Sequence, residues 1–212
     1  MMSNYQRMRW ERQRFDADRR REDNRDTGTA WHEAGHVVCG HLLGLNSSRA
    51  TIVGGDGYSG KTYFGETTDE VTDHDLAYAR AVVCMAGVEA QRLFGGPDDG
   101  GENDAGCAAI ALGAICRSEA AIDGMIENAR DTARGLLKQN FVSLCEVALA
   151  LIDKRSLDAG EIEAIIDGDA DGDVDDDGDD GELLSSILDR HGGRSVRMPG
   201  RELVYYRVGP IT

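Results

Sequence analysis

The feature that most constrains this chain is the run H-E-A-G-H at residues 32–36. On a helix, two residues four positions apart are offset by only about 40° around the axis, so they share one face. A helix here would therefore direct the imidazoles of His32 and His36 toward one point. Gly35 would let another segment approach that helix closely. The spacing predicts a helix that carries a paired-imidazole metal site.

Zinc is the metal that best fits this pair. It binds neutral imidazole nitrogens, and in catalytic sites it keeps one position open for water. Glu33, between the two histidines, would accept a proton from that water, whose pKa the metal lowers. The alternative is a helix whose histidines are only packed or solvated, and the motif spacing favours zinc over it. We expect one Zn²⁺ per chain, held by His32 and His36, with Glu33 as the general base.

A third protein ligand is needed, and spacing alone leaves its identity open. It should come from a distant segment, so that binding the metal holds two parts of the fold together. Carboxylates and thiols later in the chain are the candidates. They are Asp73, Asp75, Glu89, Asp98, Asp99, Glu102, Asp104, Cys84 and Cys107.

Length and patterning predict a mainly α, compact domain with a small β-hairpin beside the metal helix. A chain of 212 residues can bury one sizeable core. Strand-like pieces at residues 50–54 and 61–65 surround a Gly-rich turn, which is typical of a hairpin. Amphipathic or Ala-rich segments indicate the helices. We expect helices at residues 27–43, 69–94, 104–117, 119–138, 141–154 and 158–166.

Charge and composition divide the chain into four parts. Residues 1–26 carry eight arginines against six acids and form an N-terminal arm or helix. Residues 27–166 form the domain. Residues 167–182, with ten carboxylates and no base, form an acidic linker. Residues 183–212 form a short C-terminal extension.

The acidic tract begins like a calcium loop, with aspartates at alternate positions and Gly172 at the sixth. Position twelve is Gly178, so the bidentate glutamate of a calcium loop is absent. We expect a solvated linker, with weak Ca²⁺ binding as the lesser alternative.

A second motif is discounted. Residues 55–62 formally satisfy the P-loop pattern, but the sequence that follows is strand-like rather than helical. We expect a hairpin turn there and no nucleotide site.

The net charge of −16 argues against a nucleic-acid partner. Five cysteines without a tight spacing pattern indicate reduced thiols. The longest uncharged apolar stretch, residues 105–116, is too short to span a bilayer, and the polar first 26 residues do not resemble a signal peptide. We therefore expect a cytoplasmic protein without membrane insertion.

The run TAWHEAGHVV at residues 29–38 resembles the zinc motif in the peptidase domain of FtsH-type AAA+ proteases. The resemblance continues in the same order over residues 27–166. It includes a hairpin after the metal helix, an Ala-Gly helix that ends in Phe-Gly, an Asn-Asp pair after a small-residue loop, and the start of a closing helix. These segments are residues 51–62, 85–95, 101–104 and 157–162.

The resemblance implies a site and an activity. In that family the aspartate of the Asn-Asp pair is the third zinc ligand, which here is Asp104. The activity implied is a zinc-dependent endopeptidase of zincin-like fold that acts on unfolded or peptide-like protein substrates. Val88 and Gln91 stand where the family carries arginine and glutamate.

No part of the chain resembles the family's ATPase module or membrane anchor, so we expect hydrolysis that needs no ATP. Besides protein or peptide substrates, the candidate partners are a second copy of the chain and a separate ATPase. The alternative function is a non-catalytic, zinc-containing module that docks on an ATPase or another protein. Glu33 favours the enzyme, because a purely structural zinc site does not need it.

Overall fold

The structure, a computed structural model, describes residues 25–65, 74–94 and 101–168, and the backbone of residues 197–198 and 201–202. Residues 25–42 form helix α1. The later helices are α2 (His74–Phe94), α3 (Gly101–Gly113), α4 (Glu119–Gln139), α5 (Phe141–Lys154) and α6 (Ala159–Gly168). The strands are β1 (Ser47–Thr51), β2 (Lys61–Phe64), β3 (Ser156–Asp158), β4 (Arg197–Met198) and β5 (Arg201–Glu202). The described chain is therefore mainly helical with little sheet, as predicted.

The predicted hairpin is present and belongs to a three-stranded antiparallel sheet with the order β2-β1-β3. The third strand corrects the sequence analysis, which had begun a helix at Asp158. Arg155 ends α5 in the left-handed conformation, with φ of 69°, and turns the chain so that Leu157 pairs with Ala50. Three residues are too few to produce an alternating pattern, which is why the sequence did not indicate this strand. Among the described strands, β2 is an edge strand with one side unpaired.

Helix α1 packs against α2 at unusually short range. A Cβ atom at Gly35 would lie 2.4 Å from the carbonyl oxygen of Ala86, so only glycine allows this approach. One turn before Gly35, Trp31 stacks on Phe94 of α2 with ring centroids 3.8 Å apart. The rest of the core is mostly small aliphatic side chains, as the low aromatic content predicted. This close contact places residues of α2 against the histidines of α1.

Helix α3 begins earlier than predicted. The small-residue sequence before residue 103 was interpreted as a loop and the helix was expected from residue 104, but α3 starts at Gly101. Glu102 and Asp104 both lie in the first turn, where the helix dipole favours acidic side chains. Asp104 therefore lies at the N-terminal end of α3, as the sequence analysis expected.

A buried ion-pair cluster joins α2 to α4. Glu89 is fully buried and accepts hydrogen bonds from Arg92 at 2.5 Å and from Arg134 Nε at 2.9 Å. Burying the carboxylate is tolerable because both arginines compensate its charge. Glu89, one of the candidate metal ligands, thus has a structural role between helices.

Several predictions concern parts of the chain beyond the described residues. Most of the N-terminal arm, residues 169–182 of the acidic linker, and most of the C-terminal extension are among them. Residues 25–26 and 167–168 are continuous with α1 and α6, so those two predicted boundaries fall inside helices. Within the described ranges, no single helix is long and apolar enough to cross a membrane. Taken together, α4 and α5 are long and apolar enough, but they are bent by 87° at their junction.

Candidate metal centre

Helices α1 and α3 bring the two histidines and Asp104 together. Asp104 Oδ2 lies 2.9 Å from His32 Nε2 and 3.6 Å from His36 Nε2. The two imidazole rings meet edge to face with centroids 4.7 Å apart. Each of the three residues offers one atom that can bind a metal, and these three atoms all lie within 4.8 Å of one another. Among the residues that the structure describes, no other group of three or more histidine, cysteine, aspartate or glutamate side chains lies close enough together to hold a metal ion.

Helix α2 orients both imidazoles from behind. His36 Nδ1 lies 2.7 Å from the carbonyl oxygen of Val83, and His32 Nδ1 lies 3.1 Å from Gln91 Oε1. The Gln91 amide in turn donates to the carbonyl oxygen of Gly28 at 3.2 Å, which fixes which of its ends faces His32. A histidine that donates through Nδ1 presents the lone pair of Nε2, the arrangement found around metal-bound histidines. Each Nε2 is thereby directed toward Asp104.

Two observations show that the residues present fit a metal ion. Asp104 Oδ2 is buried and has no hydrogen-bond partner, although His32 Nε2 lies 2.9 Å away. Gly87 of α2 faces the same point: a Cβ there would lie 2.6 Å from His32 Nε2 and 2.7 Å from His36 Nε2. The absence of a side chain leaves room beside both nitrogens. Two imidazoles and one carboxylate are a ligand set that catalytic zinc uses.

The electrostatics of the group favour a cation. Burial favours neutral His36, but the interactions with Asp104 and the charge of Glu33 prevail and raise the pKa of His36 to about 9. Burial likewise opposes ionisation of Asp104, yet both imidazoles outweigh it and hold the pKa of that carboxyl below its usual range. The metal-free group therefore holds a proton at neutral pH in the place where a divalent ion would bind.

Glu33 lies beside this group on α1 and is buried. Its Oε2 accepts a hydrogen bond of 2.7 Å from the hydroxyl of Thr62 on β2. Its charge is one of the causes of the raised pKa of His36. The expected base thus follows His32 directly on α1 and is bound by a side chain of β2.

Among the described residues, the other candidate third ligands do not join the group. Glu89 is paired with arginines, and neither Asp75 nor Glu102 is among the three residues whose ligand atoms lie close together. Cys84 and Cys107 line a cavity of about 540 Å³ that adjoins the site, since Val83 lines it too. The remaining candidates lie outside the described residues. They are Asp73, Asp98 and Asp99.

The P-loop-like run forms the turn of the hairpin. Gly55 and Tyr58 form an isolated antiparallel bridge, and strand β2 follows directly from Lys61. A phosphate-binding loop requires a helix at this point, so the structure agrees with the hairpin interpretation. The calcium-like tract lies almost wholly outside the described residues.

The residues that orient the histidines were not predicted from the sequence. Gln91 was noted only as a departure from the FtsH-type pattern, where glutamate stands. Its position one helical turn after Gly87 could have indicated that it faces the same helix as Gly87 does. The carbonyl of Val83 has no signature in the sequence, because every residue carries one.

Comparison with known proteins does not identify a family. A scan against models of protein families finds no match to this chain, and a search of curated proteins finds none either. The similarity to FtsH-type peptidase domains therefore stays a resemblance of motifs. The geometry of the metal centre is the main basis for inferring function.

The space at Gly87 gives a direct test of the metal centre. Gly87→Ala should weaken zinc binding by about tenfold or more, because its Cβ would displace both imidazoles from their alignment. The measurement is a zinc titration against a competing chelator. Gly135→Ala on α4 is the matched control, since a Cβ there meets nothing within 4 Å. Wild-type zinc affinity in Gly87→Ala would contradict the proposed position of the ion.

The raised pKa of His36 predicts proton-coupled zinc binding. His36 titrates at about 9 rather than 6.5, so near pH 7 it is protonated and must lose that proton before Nε2 can bind metal. Apparent zinc affinity should therefore rise with pH until about pH 9 and then level off. Calorimetric titration in buffers of different protonation enthalpy should show close to one proton released near pH 7. An affinity that is flat between pH 7 and pH 9 would contradict this assignment.

Proposed function

We propose that this chain is a zinc-dependent endopeptidase with a zincin-like helical domain. Its substrates would be unfolded or peptide-like protein segments, hydrolysed without ATP. The observation that carries the proposal is the convergence of His32, His36 and Asp104 on one point, with the buried Glu33 beside it. A structural zinc site is usually closed by four protein ligands, whereas the described residues here supply three. The FtsH-type motif resemblance supports the same activity.

Each residue of the site has a chemical role in this proposal. His32 and His36 would hold zinc through Nε2, and Asp104 through its carboxylate. When bound, the metal supplies a water of lowered pKa and polarises the peptide carbonyl. Glu33 takes the proton of the attacking water on a carboxylate oxygen and delivers it to the departing amine nitrogen. Gln91 and the Val83 carbonyl keep the imidazoles aligned during this transfer.

The surroundings of the site suit an extended peptide. Strand β2 has a free edge among the described strands and contacts Glu33 through Thr62, so a substrate strand paired with that edge would pass close to the base. The adjoining cavity is mostly apolar and large enough for a bulky side chain. Its lining includes Leu45, Phe64, Val83, Cys84, Ile110 and Ala111. We infer that bonds next to large apolar residues are preferred.

Replacing the base tests the proposal. Glu33→Gln should lower kcat for casein or a quenched fluorescent peptide by about 10²- to 10⁴-fold, because the amide cannot accept the proton. Its zinc content and fold should match the wild type. Glu127→Gln, the same change at an exposed position on α4, should cleave normally.

The wild-type activity should disappear with a chelator, return with zinc, and be indifferent to ATP. Equal cleavage by Glu33→Gln would show that Glu33 is not the base. A wild type that binds zinc but cleaves nothing would instead favour a non-catalytic zinc module.

A further inference from the structure

The hydroxyl of Thr62 is bound to the carboxylate that the proposed reaction uses as its base. Thr62 Oγ1 donates to Glu33 Oε2 at 2.7 Å, between strand β2 and helix α1. We propose that Thr62 is a positioning residue that holds Glu33 in its working orientation and couples it to the substrate-binding strand. The inference rests on the proposed peptidase function and adds a residue to it.

The carboxylate of Glu33 is confined on two sides by the start of β2. Thr62 binds Oε2, while a Cβ placed at Gly60 would lie 2.7 Å from Oε1 and 2.4 Å from Thr29 Cγ2. The backbone at Gly60 thus packs directly on the carboxylate and on α1. A glutamate side chain has several rotatable bonds, and this enclosure removes most of that freedom.

The same geometry explains the glycine, lysine and threonine at residues 60–62, which only mimic a phosphate-binding loop. Glycine at position 60 is required for the close approach to Glu33, and threonine at position 62 supplies the hydrogen-bond donor. Lys61 and Tyr63 alternate with Thr62 along the strand, and the Lys61 ammonium lies 4.8 Å from the centre of the Tyr63 ring. The strand therefore presents Thr62 to the base and the lysine–tyrosine pair to its other face.

This arrangement links substrate binding to the base. A peptide that pairs with the free edge of β2 would bond to the strand whose side chain holds Glu33. The reacting carbonyl and the base would then both be held by strand β2. Small errors in their relative position reduce the rate strongly. Loss of the Thr62 hydroxyl should consequently affect kcat more than KM.

The test compares three variants of the zinc-loaded protein on one fluorescent peptide. Thr62→Val, which keeps the shape and removes the donor, should lower kcat about 10- to 100-fold, with KM and zinc affinity within about twofold of wild type. Thr62→Ser, which restores the donor, should recover most of the loss. Ser48→Ala is the control, because it removes a hydroxyl bond to the Tyr63 carbonyl in the same hairpin without touching Glu33. Wild-type kcat in Thr62→Val, or no recovery in Thr62→Ser, would overturn the proposal.

A measurement that needs no activity tests the contact itself. In the metal-free protein, a double-mutant cycle of Thr62→Val and Glu33→Ala should show coupling of about fivefold or more in the unfolding equilibrium constant. If the effects of the two substitutions on the free energy of unfolding were additive, Thr62 and Glu33 would not interact and the proposal would be overturned. A wild type that cleaves nothing would refute the peptidase function and with it the positioning role of Thr62. A wild type that cleaves no faster than Thr62→Val would refute the role of Thr62 alone.

Discussion

The close approach of α2 to α1 is the contact on which the proposed metal centre depends. Gly35 lets the backbone of α2 reach α1 at Ala86, and Gly87, next along α2, then faces the two imidazoles. Because the helices are this near, the Val83 carbonyl and the Gln91 amide reach the Nδ1 atoms of the histidines. A larger side chain at either glycine would separate the helices or fill the space for the ion. Gly35 and Gly87 therefore serve both the packing of α1 on α2 and the space proposed for the metal ion.

Helix α3 contributes the negatively charged residue of the proposed centre, Asp104. Asp104 has a buried oxygen 2.9 Å from His32 and 3.6 Å from His36, and the lowered pKa of Asp104 and the raised pKa of His36 both result from these contacts. A divalent ion would replace the proton and bind the carboxylate more strongly. Since Asp104 comes from a different helix, metal binding would also hold α3 against α1 and contribute to folding. The buried Glu89 cluster joins α2 to α4 independently of this site.

The sequence alone predicted helix α1 and the meeting of His32 and His36 on one face, because helical spacing links two residues four positions apart without tertiary information. Asp104 could not be selected that way, since it lies more than sixty residues away; the family resemblance supplied it. Thr62 and Gln91 were missed for the same reason, as each contacts α1 from a distant segment. Strand β3 was missed because its pairing with β1 comes from a turn at Arg155 rather than from a local pattern.

The most direct test of the account is the coordination sphere of zinc in the loaded protein, measured by X-ray absorption spectroscopy. Three protein ligands and a water predict four nitrogen or oxygen neighbours at about 2.0–2.2 Å, with the outer-shell scattering of two imidazoles and no sulfur. Conversion of Asp104 to asparagine should change the oxygen shell and leave both imidazoles in place. A sulfur neighbour at about 2.3 Å would instead assign a ligand to Cys84 or Cys107 and contradict the proposed centre.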